Sequence, residues 1–335
     1  MVSIRDIARL ANVSDSTVSR ALRDSPLVKI ETREKIHRIA EESGYRASAV
    51  ARSLATRRTR TIGVVVTTIA DPFAAETVCG IEEAAGEHGY SLFLANSHAD
   101  PYREAKVVTS FEERRVDGVV VTSSRVGTLW APLLAGMRVP IVLINGQHPS
   151  DNIHWVVIAN AQASREATRH LIQLGHQRIA YLGDRHGYQS DTERFGGYRK
   201  ALDEADLPFE PDLVVYGDGK PDGGVRAMEI LLALPKPPTA VFCFNDYSAV
   251  GALRRIHASG LRVPDDISLV GFDDLNIAQY AEPPLTTVRQ PKQHMGRLAV
   301  EILLKLLAGA DAEYCITVPG ELIVRESTAP PPASH

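Results

Sequence analysis

Ser3–Arg23, SIRDIARLANVSDSTVSRALR, decides how the rest of the chain is read. The stretch predicts two short helices around a tight turn. Ser3 can cap the first, and Ile4, Ile7, Ala8, Leu10 and Ala11 supply its apolar side. Asn12 stands where the chain must turn sharply, and Asn tolerates left-handed backbone angles better than most residues. Val13 is expected to pack under the turn, and Ser14 can cap a second helix over Asp15–Arg23, with Val18, Ala21 and Leu22 inward. Asp15, Ser16, Thr17, Ser19, Arg20 and Arg23 then point outward. Small polar and basic groups on the free side of a short helix suit a DNA major groove. An ordinary amphipathic hairpin has the same pattern, so the neighbouring segments must decide.

A third helix is expected over Glu31–Ser43, with Ile36, Ile39 and Ala40 as its apolar stripe and Gly44 as its stop. Three such helices within 45 residues have the size of a DNA-binding head. Residues 46–60, RASAVARSLATRRTR, hold only Val50 and Leu54 as large apolar side chains. An isolated helix below ~12–15 residues is marginal, so this segment needs a partner to become helical. It reads either as a basic linker or as one of a pair of hinge helices. In the second reading Leu54 wedges between base pairs from the minor groove while Arg52, Arg57, Arg58 and Arg60 face phosphates. The net charge of −4 is unevenly spread: residues 1–60 carry thirteen Lys and Arg against seven Asp and Glu, and the remainder is acidic. A basic head on an acidic body suits a polyanion-binding domain fused to something else.

From Thr61 onward, apolar runs alternate with amphipathic stretches. The runs are Ile62–Val66, Leu92–Ala95, Gly118–Val121, Ile141–Ile144, Trp155–Ile158, Ile179–Leu182, Leu213–Tyr216, Ala240–Phe244 and Ile267–Val270. Between many of them lie helical patterns such as Ala74–His88, Tyr102–Arg114, Ala161–Leu174, Thr192–Ala205 and Asp246–Ser259. Short apolar runs separated by helices read as parallel strands buried on both faces. The expected fold is therefore a small all-α helix-turn-helix head plus two doubly wound α/β lobes with parallel sheets. The expected divisions are 1–45 for the head, 46–60 for the hinge, 61–158 with 289–318 for one lobe, 159–288 with 319–328 for the other, and a Pro-rich disordered tail over 329–335. Ligands in such folds sit where loops leave the carboxyl ends of strands, here near Ile69, Asn96, Ser123, Asn145, Gly183, Gly217, Asn245 and Phe272. A cleft between two lobes gathers such ends.

Composition sets the outer bounds. With 44% hydrophobic and 23% charged residues, the chain sits near the ~45–50% and ~25% of globular domains. No run approaches the ~18 apolar residues of a membrane helix. No apolar leader core precedes Ser3, so the cytoplasm is the expected compartment. Cys79, Cys243 and Cys315 fit neither a zinc spacing nor a disulfide framework and read as buried free thiols. No metal site, cofactor or catalytic set is expected: IGVVVTTIADPF lacks G-x-G-x-x-G, no P-loop is present, and His170 and His176 read as helix-end and surface residues.

In combination the motifs resemble the LacI/GalR family of bacterial transcription regulators across essentially the whole chain. They run in order: IRDIARLANVSDSTVSRAL, VARSLATRRT, IGVVV, DPFAAETVCGIEEAA, LGHQRIAYLG, ERFGGYRKAL, FNDYSAVGAL, SLVGFDD, PPLTTVRQP and ELIVREST. The resemblance implies a body like the periplasmic solute receptors and a homodimer on palindromic double-stranded operator DNA. It places Asp15, Ser16 and Arg20 at base-reading positions, Ser14, Thr17 and Ser19 near phosphates, and Val50, Arg52 and Leu54 at the hinge. Arg20 suits guanine, whereas Asp15 can accept from cytosine or simply satisfy the helix N-terminus. It implies a sugar or sugar derivative between the lobes, contacted by Pro72, Phe73, Asn145, Arg194, Asn245, Asp273 and Gln290. Arg194 could instead form a plain interlobe salt bridge, and Asp273 could cap the turn before Leu275.

Three departures from the family pattern stand out. Ala47-Ser48 replaces the usual Pro-Asn before the hinge, Lys29-Ile30 replaces a Ser-Pro helix start, and Gly219 stands where relatives place a ring-stacking aromatic. Phe244 and Tyr247 are the expected substitutes for that ring. A periplasmic receptor would lack the head, and an enzyme would need a legible reacting group.

Overall fold

The computed structural model describes residues 2–22, 24–45, 58–123, 139–146 and 153–332, in two compact units, Met1–Arg60 and Thr61–His335. Val50, Arg52 and Leu54 lie outside the described residues.

The head consists of α1 (Ile4–Ala11), α2 (Asp15–Ala21) and α3 (Ile30–Glu42). Ser3 and Asp6 form a reciprocal cap on α1, the Ser3 amide donating to the Asp6 carboxylate at 3.0 Å. Asn12 takes φ 56° and ψ 50°, the left-handed turn its side chain tolerates. Ser14 Oγ accepts from the Thr17 amide at 3.2 Å and starts α2. Lys29 gives α3 no side-chain cap, which is what the loss of a Ser at that position entails. Ile7, Ala8, Ala11, Val18, Ala21, Val28, Ile36 and Ala40 make one small core.

The body begins with β1 (Thr61–Val66), α4 (Pro72–Glu87), β2 (Ser91–Asn96), α5 (Pro101–Glu113), β3 (Gly118–Thr122), β4 (Ile141–Ile144) and β5 (His154–Ile158). It continues with α6 (Asn160–Gln173), β6 (Ile179–Asp184), α7 (Gln189–Glu204), β7 (Val214–Gly217), α8 (Pro221–Leu232), β8 (Ala240–Cys243), α9 (Asp246–Ala258), β9 (Ser268–Val270) and α10 (Asn276–Tyr280). It ends with β10 (Thr287–Arg289), α11 (Lys292–Leu307), β11 (Cys315–Val318) and β12 (Glu321–Ile323). One parallel sheet runs β11-β5-β4-β3-β1-β2 and a second runs β7-β6-β8-β9, while β10 pairs antiparallel with β12.

The side-chain period of two divides each sheet between two helical layers. In the first, Ile62, Val64, Val120, Val142 and Val156 pack with Ile81, Ala84, Met295, Ala299 and Leu303 of α4 and α11. Val65, Val119, Val121 and Leu143 face the other way, with Val108 and Phe111 of α5. In the second, Tyr181 and Phe242 pack with Tyr198 and Leu202 of α7, whereas Ala180, Leu182, Val241 and Cys243 join Met228 and Leu231 of α8. This double burial is why the central strands read as unbroken apolar runs; β2, expected to be buried on both faces, is instead an edge strand with Phe93 and Leu94 exposed.

Several expectations are corrected. Cys243 is buried, but Cys79 and Cys315 are exposed; all three are free. His176 is buried, not a surface residue: its Nε2 lies 2.9 Å from the Ala329 carbonyl and its Nδ1 2.9 Å from Thr239 Oγ1. The Pro-rich tail is tied down at its start, since the Ala329 amide donates to Ser268 Oγ at 3.1 Å. Helix α8 and strands β10, β11 and β12 were not anticipated.

Candidate functional site

Two regions gather the nominated residues. On α2, Ser14, Asp15, Ser16 and Arg20 are exposed and Thr17 and Ser19 half-buried, while Val18 and Ala21 anchor the opposite side in the core. Ser14 Oγ lies 2.8 Å from both Ser16 Oγ and Thr17 Oγ1, so the polar start of the helix is internally ordered. Asp15 pairs loosely with Arg5 at 3.7 Å, both side chains in solvent. The result is an outward row of hydroxyls, one carboxylate and one guanidinium on a firmly seated helix, the chemistry that reads base edges.

In the body, four nominated side chains bond to one another. Asn145, just past β4 with φ 51°, donates through its amide to Gln290 Oε1 at 3.1 Å. Gln290, just past β10, donates to Asp273 Oδ1 at 2.6 Å. Asp273 follows β9 and faces Arg194 of α7 at 3.8 Å. Arg194 is 3% exposed and donates to Asn160 Oδ1 at 2.9 Å and to the Phe244 carbonyl at 2.6 Å. Its guanidinium lies 3.6 Å from the Phe272 ring centroid and 4.7 Å from that of Phe244. The Arg194–Asp273 pair thus lies within the second lobe and is no interlobe bridge.

Burial dominates the electrostatics here. It pushes the Asp273 carboxyl up to about 6, against the opposing pull of Arg194, Lys292 and Gln290. It lowers the Arg194 pKa, with the Asp273 charge resisting. Asp246 is raised to about 8, first by burial and then by the neighbouring Asp273 charge. Asp246 accepts from the Leu275 amide at 2.7 Å and from Thr287 Oγ1 at 2.5 Å. It is therefore Asp246, not Asp273, that caps the turn before Leu275.

Asn245 stands somewhat apart. Its Oδ1 accepts from the Ser248 amide at 2.9 Å to cap α9, and its amide donates to the Gly219 carbonyl at 2.9 Å. Gly219, at φ 70°, lies so close to this group that a Cβ there would come 2.8 Å from Asp184 Oδ2. An aromatic there would need the positive φ and a shift of the Asp184 carboxylate. Of the two expected substitutes, Phe244 lies within 4 Å of the position a Gly219 Cβ would take, and Tyr188 stacks beside its ring at 6.3 Å and 9°. On the first lobe, Pro72 and the buried Phe73 open α4 behind Asp71, whose carboxylate accepts from the Phe73 amide at 3.0 Å. Burial raises the pKa of Tyr247, and the Asp71 charge adds to that shift and, as a minor cause, to that of Asp273.

Sequence reasoning did not single out Asp71, Asn160, Asp184, Tyr188, Asp246 or Lys292. Asp184 ends β6, and Asp71 and Asp246 follow β1 and β8, the positions where ligand loops start, so the signal was available. Tyr188 and Lys292 carry no local pattern. Amides, carboxylates, one guanidinium and a ring pair can hold a hydroxylated small molecule; they do not pair a nucleophile with a base.

A helix-turn-helix head on a two-lobed, parallel-sheet body with a polar floor defines a ligand-responsive DNA-binding protein. Comparison with known proteins narrows this. Residues 3–48 match the family described as bacterial regulatory proteins, lacI family, and residues 168–328 match a periplasmic binding protein-like domain. The chain is 36% identical over 329 residues to the HTH-type transcriptional repressor PurR of Aliivibrio salmonicida (strain LFI1238), covering 98% of this chain and 99% of that protein. Among solved structures, the lac repressor dimer bound to operator and the anti-inducer ONPF superposes with a TM-score of 0.89 at 29% identity, covering 98% and 99% of the two chains. A transcriptional regulator CelR–cellobiose complex gives 0.74 at 35% identity, covering 98% and 100%. The chain belongs to the lacI family of bacterial regulatory proteins. It is a DNA-binding transcriptional repressor under small-molecule control and not an enzyme.

Proposed function

We propose that this repressor works in the cytoplasm as a homodimer that holds a palindromic operator until, or only while, a sugar or sugar derivative occupies the cleft between its lobes. In this reading α2 enters the major groove, with Asp15, Ser16 and Arg20 at base edges and Ser14, Thr17 and Ser19 at phosphates. Val50, Arg52 and Leu54 act at the minor groove between the two heads. Pro72, Phe73, Asn145, Arg194, Asn245, Asp273 and Gln290 form the effector site. The lobes divide as 61–158 with 289–318 and 159–288 with 319–328.

One observation carries most weight. The nominated effector residues Asn145, Gln290, Asp273 and Arg194 form one continuous hydrogen-bonded and ionic chain from the end of a strand in the first lobe to a helix of the second. A ligand that competes for any link redistributes bonds between lobes, which is the differential interaction an allosteric effector needs. A structural neighbour solved as a complex with cellobiose supports a sugar as the ligand, and the operator-bound lac repressor dimer supports the DNA arrangement. Coupling of this kind amounts to about 1–3 kcal/mol in operator affinity.

Leu54→Ala tests the DNA half. Titration of a duplex selected from random-sequence DNA should show specific affinity lost while salt-sensitive nonspecific binding persists. Unchanged specific affinity would remove the wedge from the proposal.

A further inference from the structure

Lys292, the first residue of α11, is 4% exposed and belongs to no recognised motif. Its ammonium donates to the backbone carbonyls of Asp273 at 2.7 Å and Asp274 at 3.1 Å. Its other partner is the Glu76 carboxylate on α4, 3.3 Å away. An ammonium has three N–H donors, so two carbonyls of the second lobe and one carboxylate of the first account for all of them. Burying that charge is unfavourable unless every donor is met, which ties the three partners together.

Both ends of this contact are stiff. Asp273 and Asp274 take φ 111° and 51°. The Asp274 carboxylate accepts from Arg289 Nε at 2.7 Å and from an Arg325 guanidinium nitrogen at 2.6 Å, while Gln290 and Arg194 hold that of Asp273. At the other end, α4 and α11 nearly touch backbone to backbone. A Cβ on Gly80 would sit 2.0 Å from the Gln293 carbonyl oxygen, and one on Gly296 2.3 Å from that of Thr77. Arg297 adds two bonds to Glu87 at 3.0 and 2.9 Å. Helix α4 therefore moves with α11, and α4 carries Asp71, Pro72 and Phe73 one turn before Glu76.

We infer that Lys292 is a positioning residue that couples the cleft to the first lobe by holding the Asp273–Asp274 turn against Glu76. The inference rests on the reading of the cleft as the effector site. It makes Lys292 a strut that transmits occupancy at Asp273 to α4, and not itself a ligand contact. Cutting the strut leaves the ligand groups in place and removes their influence on DNA.

The test uses the full chain and a duplex that the wild type selects from random-sequence DNA. Binding free energies couple reciprocally, so DNA must alter the Asp273 turn if occupancy of that turn alters DNA affinity. Amide hydrogen exchange is followed at residues 271–275 and 72–77 with and without the duplex. In the wild type, the duplex should change exchange at 271–275 by roughly tenfold. Glu76→Ala, at a side chain 40% exposed in a helix, should fold, bind the duplex within about threefold of wild type, and reduce that change below about twofold. Lys292→Met should uncouple in the same way. A Glu76→Ala chain that still transmits the full change overturns the strut. So does a wild type that binds the duplex with no response in the turn, which would leave DNA recognition standing. Selection of no duplex at all would remove the DNA reading and the strut with it.

Discussion

Arg20 and Arg194 were nominated for recognition by the same kind of sequence argument, and the structure treats them in opposite ways. Arg20 is exposed on α2, on the side away from the head core. Arg194 is 3% exposed, stacked on Phe272 and bonded to Asn160 and the Phe244 carbonyl. A surface that reads a polyanion keeps its cations hydrated and available, and the DNA supplies the counter-charge. A floor that reads a small molecule must be preorganised before the ligand arrives, so its charges are already partnered within the protein. On the proposed reading, recognition and stability are separable in the head and fused in the cleft.

The largest expected effects test that separation. Arg194→Ala leaves the Asp273 carboxylate buried without its guanidinium, and breaking a buried pair costs about 3–5 kcal/mol. Urea denaturation should show a loss of that size. Arg20→Ala should change stability by less than about 0.5 kcal/mol. On the proposed reading, in which Arg20 makes one bidentate base contact, it should weaken the selected duplex by about 1–3 kcal/mol. Equal stability losses in the two variants would break the comparison.

The same contrast explains what was legible. The head is local: Ser3, Asn12, Ser14 and Gly44 each mark a boundary by their own chemistry, so α1 and α2 could be placed almost to the residue. The central strands were legible because burial on both faces makes them uniformly apolar. Strands β10, β11 and β12 were not, because each spans three or four residues and most of those of β11 and β12 retain exposure. In the cleft, Asn145, Arg194, Asp273 and Gln290 could be nominated only through family motifs. Asn145 and Gln290 meet from 145 positions apart, a distance no local pattern spans. Lys292 and Tyr188 went unnoticed for the same reason: their roles exist only once distant loops converge.

Asp246 separates the two regions by pH. Its pKa, raised to about 8 by burial and by the Asp273 charge, lies far above the ~3.9 of an unfolded Asp. The folded body therefore holds a proton that the unfolded chain releases. This contribution to stability is fully present below about pH 4 and is lost as pH rises towards 8. Asp246→Asn mimics the neutral acid, since its amide oxygen can accept from Leu275 N and its NH2 can donate to Thr287 Oγ1. Between pH 6.5 and 8 the body's Tm should fall in the wild type and stay nearly level in the variant. A stability difference of 1 kcal/mol corresponds to about 2–4 °C for a domain of about this size. Parallel profiles would place the titration elsewhere.

The smallest effects lie in the head, where one of two helix starts in the same unit has a side-chain cap and the other has none. At α2, Ser14 Oγ accepts from the Thr17 amide, and Ser14→Ala should cost about 1 kcal/mol. At α3, Lys29 occupies the cap with φ −56° and ψ 142° and offers no acceptor to the first-turn amides. It is exposed, so exchanging it disturbs no packing. Lys29→Ser supplies the missing oxygen and should stabilise the head by up to about 1 kcal/mol. Slower amide exchange in the first turn of α3, with α1 and the body unaffected, would locate the gain at the cap. Unchanged exchange would mean that Val28 and Ile36, both buried in the head core on either side of this start, already hold it. Packing would then outweigh capping even in the one region where local chemistry reads most clearly.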